Sequence, residues 1–251
     1  MLGNLSSDFL TGYDTDITGS TGRYIYMHAL WYEGKGMRKG ESMRIPVRAR
    51  GGETVLVRFG FTRQNGMIPS FSLPRVRTCP GMTAWCARYC YAKQGNHILP
   101  VVRKAREENL KLTLRDDFSE IMVAALEKVK EKGYKIIRLH EEGDFYSASY
   151  ILKCFSVVER FPEILFYAYT RSWRLPELLP YLERLRELPN VVLIASTDEH
   201  TGPPPEGWKE AGINFCYRKP NILCPSYKVD GLTCDKCGIC FKTKLNVYFL
   251  A

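Results

Sequence analysis

Seven of the nine cysteines fall into two clusters whose spacing suits iron–sulfur ligation. The first is Cys79-Pro-Gly-Met-Thr-Ala-Trp-Cys86-Ala-Arg-Tyr-Cys90, a C-x6-C-x3-C set of three thiols. The second is Cys224-Pro225 followed by Cys234-Asp-Lys-Cys237-Gly-Ile-Cys240, a set of four. Three thiolates leave one iron of a cubane open to substrate or cofactor, whereas four close it and suit electron transfer or structure. The asymmetry points to an enzyme with two [4Fe–4S] clusters, one reactive and one auxiliary. Zinc is the competing metal. Four-cysteine zinc sites use two separated C-x2-C knuckles, while three of the terminal thiols here stand in series. His97, seven residues beyond Cys90, could complete a three-cysteine, one-histidine site at the first set. Cys154, beside Phe155 in a helical pattern, reads as a buried hydrophobe, and core packing is the default for Cys216.

The elements that position these thiols are legible from residue 100 onward. A basic helix runs from near Pro100 to Leu114, with proline at an early position. Phe118, Ile121, Met122, Ala125, Leu126 and Val129 repeat at helical spacing, and Gly133 ends that helix. Short apolar runs at 135–139, 164–169 and 191–195 read as strands, with Ile213–Cys216 as a fourth. A helix opening at Ser147 and another carrying Leu178, Leu179, Leu182 and Leu185 lie between them. Crossovers of that length imply parallel strands covered by helices. The expected fold is α/β, a partial or elaborated (β/α) barrel. Thr54–Phe59 adds a strand before the first cysteine set, and 201–212, with Pro203-Pro-Pro205, reads as a rigid loop. The domain reading is an irregular arm at 1–45, a barrel-like core at 46–215 and a C-terminal cluster region at 216–251. Chemistry in such barrels collects at the C-terminal strand ends. Here these are polar: His140-Glu-Glu-Gly-Asp144, Thr170-Arg-Ser172 and Ser196-Thr-Asp-Glu-His200.

Bulk properties narrow the class. At 251 residues, 45% hydrophobic and 25% charged, the chain is long enough to bury a full core. Its apolar runs are far too short to span a bilayer, and its start lacks the pattern of a signal peptide. The expected location is the cytoplasm, away from membranes, where thiols stay reduced and clustered cysteines bind metal. The net charge is +9. Between Lys35 and Arg106 fifteen Lys and Arg stand against Glu41 and Glu53 alone, a block of +13. Such a block calls for an anionic partner, such as a nucleic acid, or offsets an anionic thiolate cluster.

Cys79-Pro-Gly-Met-Thr-Ala-Trp-Cys86 and Tyr89-Cys-Tyr-Ala92, with Arg138-Leu-His-Glu-Glu-Gly-Asp-Phe-Tyr-Ser147 and Phe166-Tyr-Ala-Tyr-Thr-Arg-Ser172, resemble the phage-type gene product 88 family over about residues 75–245. That family is similar to radical S-adenosylmethionine (SAM) enzymes. The resemblance implies a partial (β/α) barrel with a three-cysteine cubane at its mouth, where the open iron would chelate SAM. Glu142, Gly143 and Asp144 would serve the SAM amino group, Ser172 would join the cofactor site, and Tyr89 or Tyr91 would pack on adenine. A flavodoxin or ferredoxin would supply electrons. The chain departs from the superfamily's usual C-x3-C-x2-C spacing. Three functions remain open: a radical-SAM-like enzyme, a [4Fe–4S] Lewis-acid or sulfur-transfer enzyme without SAM, and a nucleic-acid-binding protein with structural iron–sulfur or zinc sites.

Overall fold

The computed structural model describes residues 42–250. The arm expected over 1–45 lies outside the described residues, apart from its final positions. Among the described residues nine strands form one mixed sheet: β1 (Ser42–Arg48), β2 (Thr54–Gly60), β3 (Ser70–Phe71), β4 (Ile136–Leu139), β5 (Leu165–Thr170), β6 (Val191–Thr197), β7 (Lys209–Ile213), β8 (Asn221–Leu223) and β9 (Asn246–Phe249). The spatial order is β1-β2-β3-β4-β5-β6-β7-β9-β8. β1, β2 and β3 pair antiparallel, and every later pairing is parallel. The helices are α1 (Ala84–Tyr89), α2 (Pro100–Thr113), α3 (Phe118–Glu131), α4 (Ala148–Val158), α5 (Leu179–Arg186), α6 (Cys234–Cys237) and α7 (Ile239–Lys242). Among the described residues no helix is long and apolar enough to cross a membrane.

The two-residue period of the strands sorts the sheet into two unlike faces. Ile137, Leu139, Phe166, Ala168, Leu193 and Ala195 point into the main core, which also holds buried side chains of α3, α4 and α5. Their neighbours Arg138, Tyr167, Tyr169 and Ser196 point the other way and line a cavity. Helices on both faces were expected from the apolar strand runs. The second face instead carries a small cluster in which Phe241 of the terminal cysteine segment packs on Tyr167, ring centroids 4.7 Å apart.

The cavity also shows that the sheet curves. Seven strand spacings separate β1 from β9, about 34 Å if flat at ~4.8 Å each. Yet Arg44 of β1 and Phe249 of β9 line the same cavity of 1410 Å³.

Local signals explain most of the elements. Ser147 caps α4, its hydroxyl accepting from Tyr150 N at 3.2 Å. Ser147→Ala is expected to cost about 1 kcal/mol, measurable by urea denaturation; a loss under ~0.3 kcal/mol would contradict the cap. Pro100 opens α2 at its first turn, where a missing N–H costs nothing. The fourth parallel strand differs from expectation. It is Lys209–Ile213, four residues earlier than Ile213–Cys216, so it replaces the end of the rigid loop expected over 201–212. Asn214, at φ 64, turns the chain out of the strand. β8 and β9 bring the region beyond 215 into the same sheet.

Candidate functional site

All seven clustered cysteines line the cavity. Cys86 sits in α1 and Cys90 caps its C-terminal end, so the C-x3-C spacing sets both thiols on one side of the helix, one turn apart. Thr83 caps the same helix, accepting from Cys86 N at 2.9 Å. Gly81, between Cys79 and α1, packs against the end of β5, where a Cβ would come within 2.1 Å of the Arg171 carbonyl oxygen. In the terminal set, Cys234 and Cys237 occupy the two ends of the four-residue α6, Gly238 takes the left-handed conformation, and Cys240 follows in α7. Cys234 N donates to Gln64 O at 2.8 Å and Met67 N donates to Asp235 Oδ2 at 3.2 Å. This set is thereby docked on the β2–β3 connection. Cys224 N donates to Tyr248 O of β9 at 2.9 Å.

Cys79 feels Cys86 and Cys90, whereas Cys234 feels Cys240, Cys224 and Cys237. Burial, then the charge of Asp144, pushes Cys79 up to about 12, and Cys86 and Cys90 add to the shift. Burial raises Cys86 while the Arg171 guanidinium opposes it. Burial pushes Cys234 up to about 12 against Arg138, with Cys240, Cys224 and Cys237 adding to it. Cys240 is raised by burial and held back by a hydrogen bond with Tyr169. Among the described residues no group of three or more Cys, His, Asp or Glu side chains is arranged to hold a metal ion. Cys154 is buried in the main core as expected. Cys216 is buried with its thiol 3.4 Å from Val247 O, and it does not line the cavity.

The three polar strand ends converge on one arginine. Arg171 at the end of β5 donates its N–H to Asp144 Oδ2 at 2.8 Å and its Nε to Ser196 Oγ at 3.2 Å, and its Nη1 pairs with Asp198. Asp198 Oδ2 also accepts from Thr83 Oγ1 at 2.8 Å, tying the network to the helix of Cys86. Asp144 is pushed up to about 6 by burial, against hydrogen bonds from Thr170 and from the Arg171 and Phe145 N–H groups. His200, by contrast, is at the surface beside Glu199.

The residues that the resemblance puts at SAM have distinct surroundings. Glu142 is buried, with Arg106 Nε at 2.9 Å, His97 Nδ1 at 3.2 Å and Arg75 N at 3.3 Å. Gly143 is at φ +86, and a Cβ there would stand 2.6 Å from Leu73 Cβ, so the backbone alone requires glycine. Glu142, Gly143 and Asp144 line the cavity; Ser172 is fully buried outside it. Tyr91 lines the cavity and meets His97 edge-on at 5.4 Å, whereas Tyr89 packs on Trp85 away from it.

Sequence reasoning missed Arg138 and Arg106. Arg138 sits over the Tyr169 ring at 5.0 Å and donates from Nη1 to Asn65 Oδ1 at 2.9 Å. A lone arginine inside the apolar run Ile136-Ile-Arg-Leu139 was its available signal. Arg106 was hidden among the other basic residues of α2.

Comparison with known proteins follows the same outline. The gene 88 proteins of Mycobacterium phages L5 and D29 are 28% identical over 212 residues and 26% over 213. Each alignment covers 73% of this chain and 87% of the relative. No solved structure matches. The family model described as Gene product 88 matches residues 49–233. It starts earlier than the resemblance read from 75, and it stops just short of Cys234. With that match over most of its length, the chain belongs to the gene product 88 family.

Proposed function

We propose that the protein is a radical-SAM-like iron–sulfur enzyme. Cys79, Cys86 and Cys90 would hold a [4Fe–4S] cluster with one open iron, and Cys224, Cys234, Cys237 and Cys240 a closed auxiliary cluster. The observation that carries this reading is that all seven thiols line one cavity in two sets, with each set's thiols acting on one another. Two sets that differ in thiol number, three and four, suit one open and one closed cubane. Zinc draws four sulfurs to about 2.3 Å from one point, whereas a cubane gives each thiolate its own iron. When bound, a reduced cluster of this kind supplies the electron that splits SAM into methionine and a 5′-deoxyadenosyl radical.

The chain's own residues have definable tasks around that chemistry. Thr83 fixes the helix of Cys86, and Arg171 offsets negative charge beside it. Arg138 does the same for Cys234, and the cluster of Phe241 and Tyr167 packs against Cys234 and Cys240. The sequential parallel order of β3 to β7, curved around the cavity, supports a partial (β/α) barrel.

One observation favours a second reading. Glu142 already faces the Arg106 guanidinium at 2.9 Å, which competes with any ammonium group for the carboxylate. A Lewis-acid or sulfur-transfer reaction without SAM needs no such carboxylate. Protein purified anaerobically is expected to be brown with about eight irons per chain, falling to about four in Cys86→Ser. Zinc instead of iron would refute both readings. Reduced protein incubated with SAM is expected to release 5′-deoxyadenosine; iron without that product would leave the second reading standing.

A further inference from the structure

Among the described residues, seven arginines but only three carboxylates line the cavity. Those that act on thiols are Arg171, on Cys86, and Arg138, on Cys234. A separate group forms the wall built by β1, β2 and α2. Arg44 and Arg58 are direct cross-strand partners in the antiparallel β1–β2 pair, where facing like charges are destabilising. Asn109 of α2 ties this pair to the helix: its Nδ2 donates to Arg58 O at 2.9 Å and to Ser72 O at 3.1 Å. Arg106, one turn earlier, meets Glu142, which also accepts from the N–H of Arg75. These contacts and the shared cavity place the four arginines on one wall.

Their charge is only half neutralised. Glu108 pairs with Arg58 at 2.5 Å and Glu142 with Arg106 at 2.9 Å. Arg44 and Arg75 have no carboxylate within ion-pair distance among the described residues. Arg106 is 7% exposed, and its buried Nη1 makes no hydrogen bond. A buried unpaired guanidinium N–H is costly unless a ligand satisfies it.

We propose that this wall binds the phosphate of a nucleotide-sized phosphomonoester, held by Arg44, Arg58, Arg75 and Arg106, with the rest of the molecule directed along the cavity toward the cysteines. Two uncompensated positive charges match a phosphomonoester, which carries about −1.5 to −2 at neutral pH, better than a carboxylate. Guanidinium forks suit phosphate geometry. The cavity, at 1410 Å³, exceeds the ~300–1,000 Å³ usual for one small ligand, so a nucleotide and a second molecule fit together. Naming this ligand as the substrate rests on the iron–sulfur reading; its binding does not.

The test is thermal unfolding of the full chain with inorganic phosphate, 5′-AMP, adenosine or a ten-nucleotide single strand, each against chloride of equal ionic strength. Phosphate and 5′-AMP are expected to raise the midpoint by at least about 2 °C at ten times Kd, and adenosine not to. Arg44→Gln, on an exposed strand position, is expected to abolish the shift. Arg48→Gln, on the same strand but outside the cavity, is expected to keep it. The proposal fails if neither phosphate nor 5′-AMP gives a shift, or if Arg48→Gln loses as much as Arg44→Gln. It fails also if only the oligonucleotide binds, which would mark an open nucleic-acid groove. Iron content measured on the same samples separates the claims. Phosphate binding without iron refutes the cluster reading alone, and iron with 5′-deoxyadenosine but no phosphate shift refutes this site alone.

Discussion

Asp198→Ala is expected to destabilise the chain by about 3–5 kcal/mol, the usual cost of leaving a buried charge unpaired. Asp198 is 2% exposed and Arg171 7%. The carboxylate receives Arg171 Nη1, Thr83 Oγ1 and the N–H of His200. Its removal strands the guanidinium and frees the hydroxyl that caps the helix of Cys86. Urea denaturation of the metal-free chain reads the loss; a change below about 1 kcal/mol would mean that the pair is solvated. The double variant Arg171→Met, Asp198→Leu, which removes both charges, is expected to recover much of the loss. Recovered stability with lower iron content would separate the pair's part in folding from its part in positioning Cys86.

In the second experiment, lowering the pH from 7.5 to 4.5 is expected to favour His140→Asn over the parent chain by about 3 kcal/mol. His140 is 2% exposed, its ring packed against Phe145 and Tyr150, with Nε2 2.8 Å from the Tyr150 hydroxyl. Burial, then the charge of Arg138, pushes its pKa down to about 3. The unfolded chain takes up this proton near pH 6.5 and the folded chain only near 3. Stability therefore falls as pH drops through that window, by about 1.4 kcal/mol per unit. Asp144 acts oppositely. Raised by burial to about 6 from 3.8, it gives the folded chain a proton that the unfolded chain lacks between those values, so stability there rises as pH falls. The two cancel in the metal-free parent chain between about pH 6 and 3.8, and asparagine, which tolerates the φ of 60 at this position, exposes the Asp144 effect. Other carboxylates are common to both proteins. Parallel stability curves for the two would show that His140 is hydrated and titrates normally.

What could be read from the sequence depended on range. Helices α2 to α5 and strands β4 to β6 follow local periodicity, and Ser147, Pro100 and Gly133 mark boundaries where their backbone chemistry requires. Both cysteine sets were visible because each is close in sequence. β1 alternates buried and exposed residues along its whole length, but Pro46 argues against a strand. Among the described residues β1 pairs on one side only, where a proline is tolerated. β7 was misplaced because Lys209 and Glu210 look like loop residues; Glu210 is buried and accepts from Thr197 Oγ1 and the N–H of Tyr217. The Thr83–Asp198–Arg171 network and the Arg106–Glu142 pair join residues far apart in the chain, and no local pattern announces either.

The order β7-β9-β8 sets a sequence of events in synthesis. β8 emerges before β9 but lies beyond it, so it has no neighbour to pair with until β9 has been made and inserted. The N–H of Cys224 waits for the same strand, since its acceptor is Tyr248. On a nascent chain the thiols of Cys79, Cys86 and Cys90 can therefore be in place while Cys224 is still unanchored.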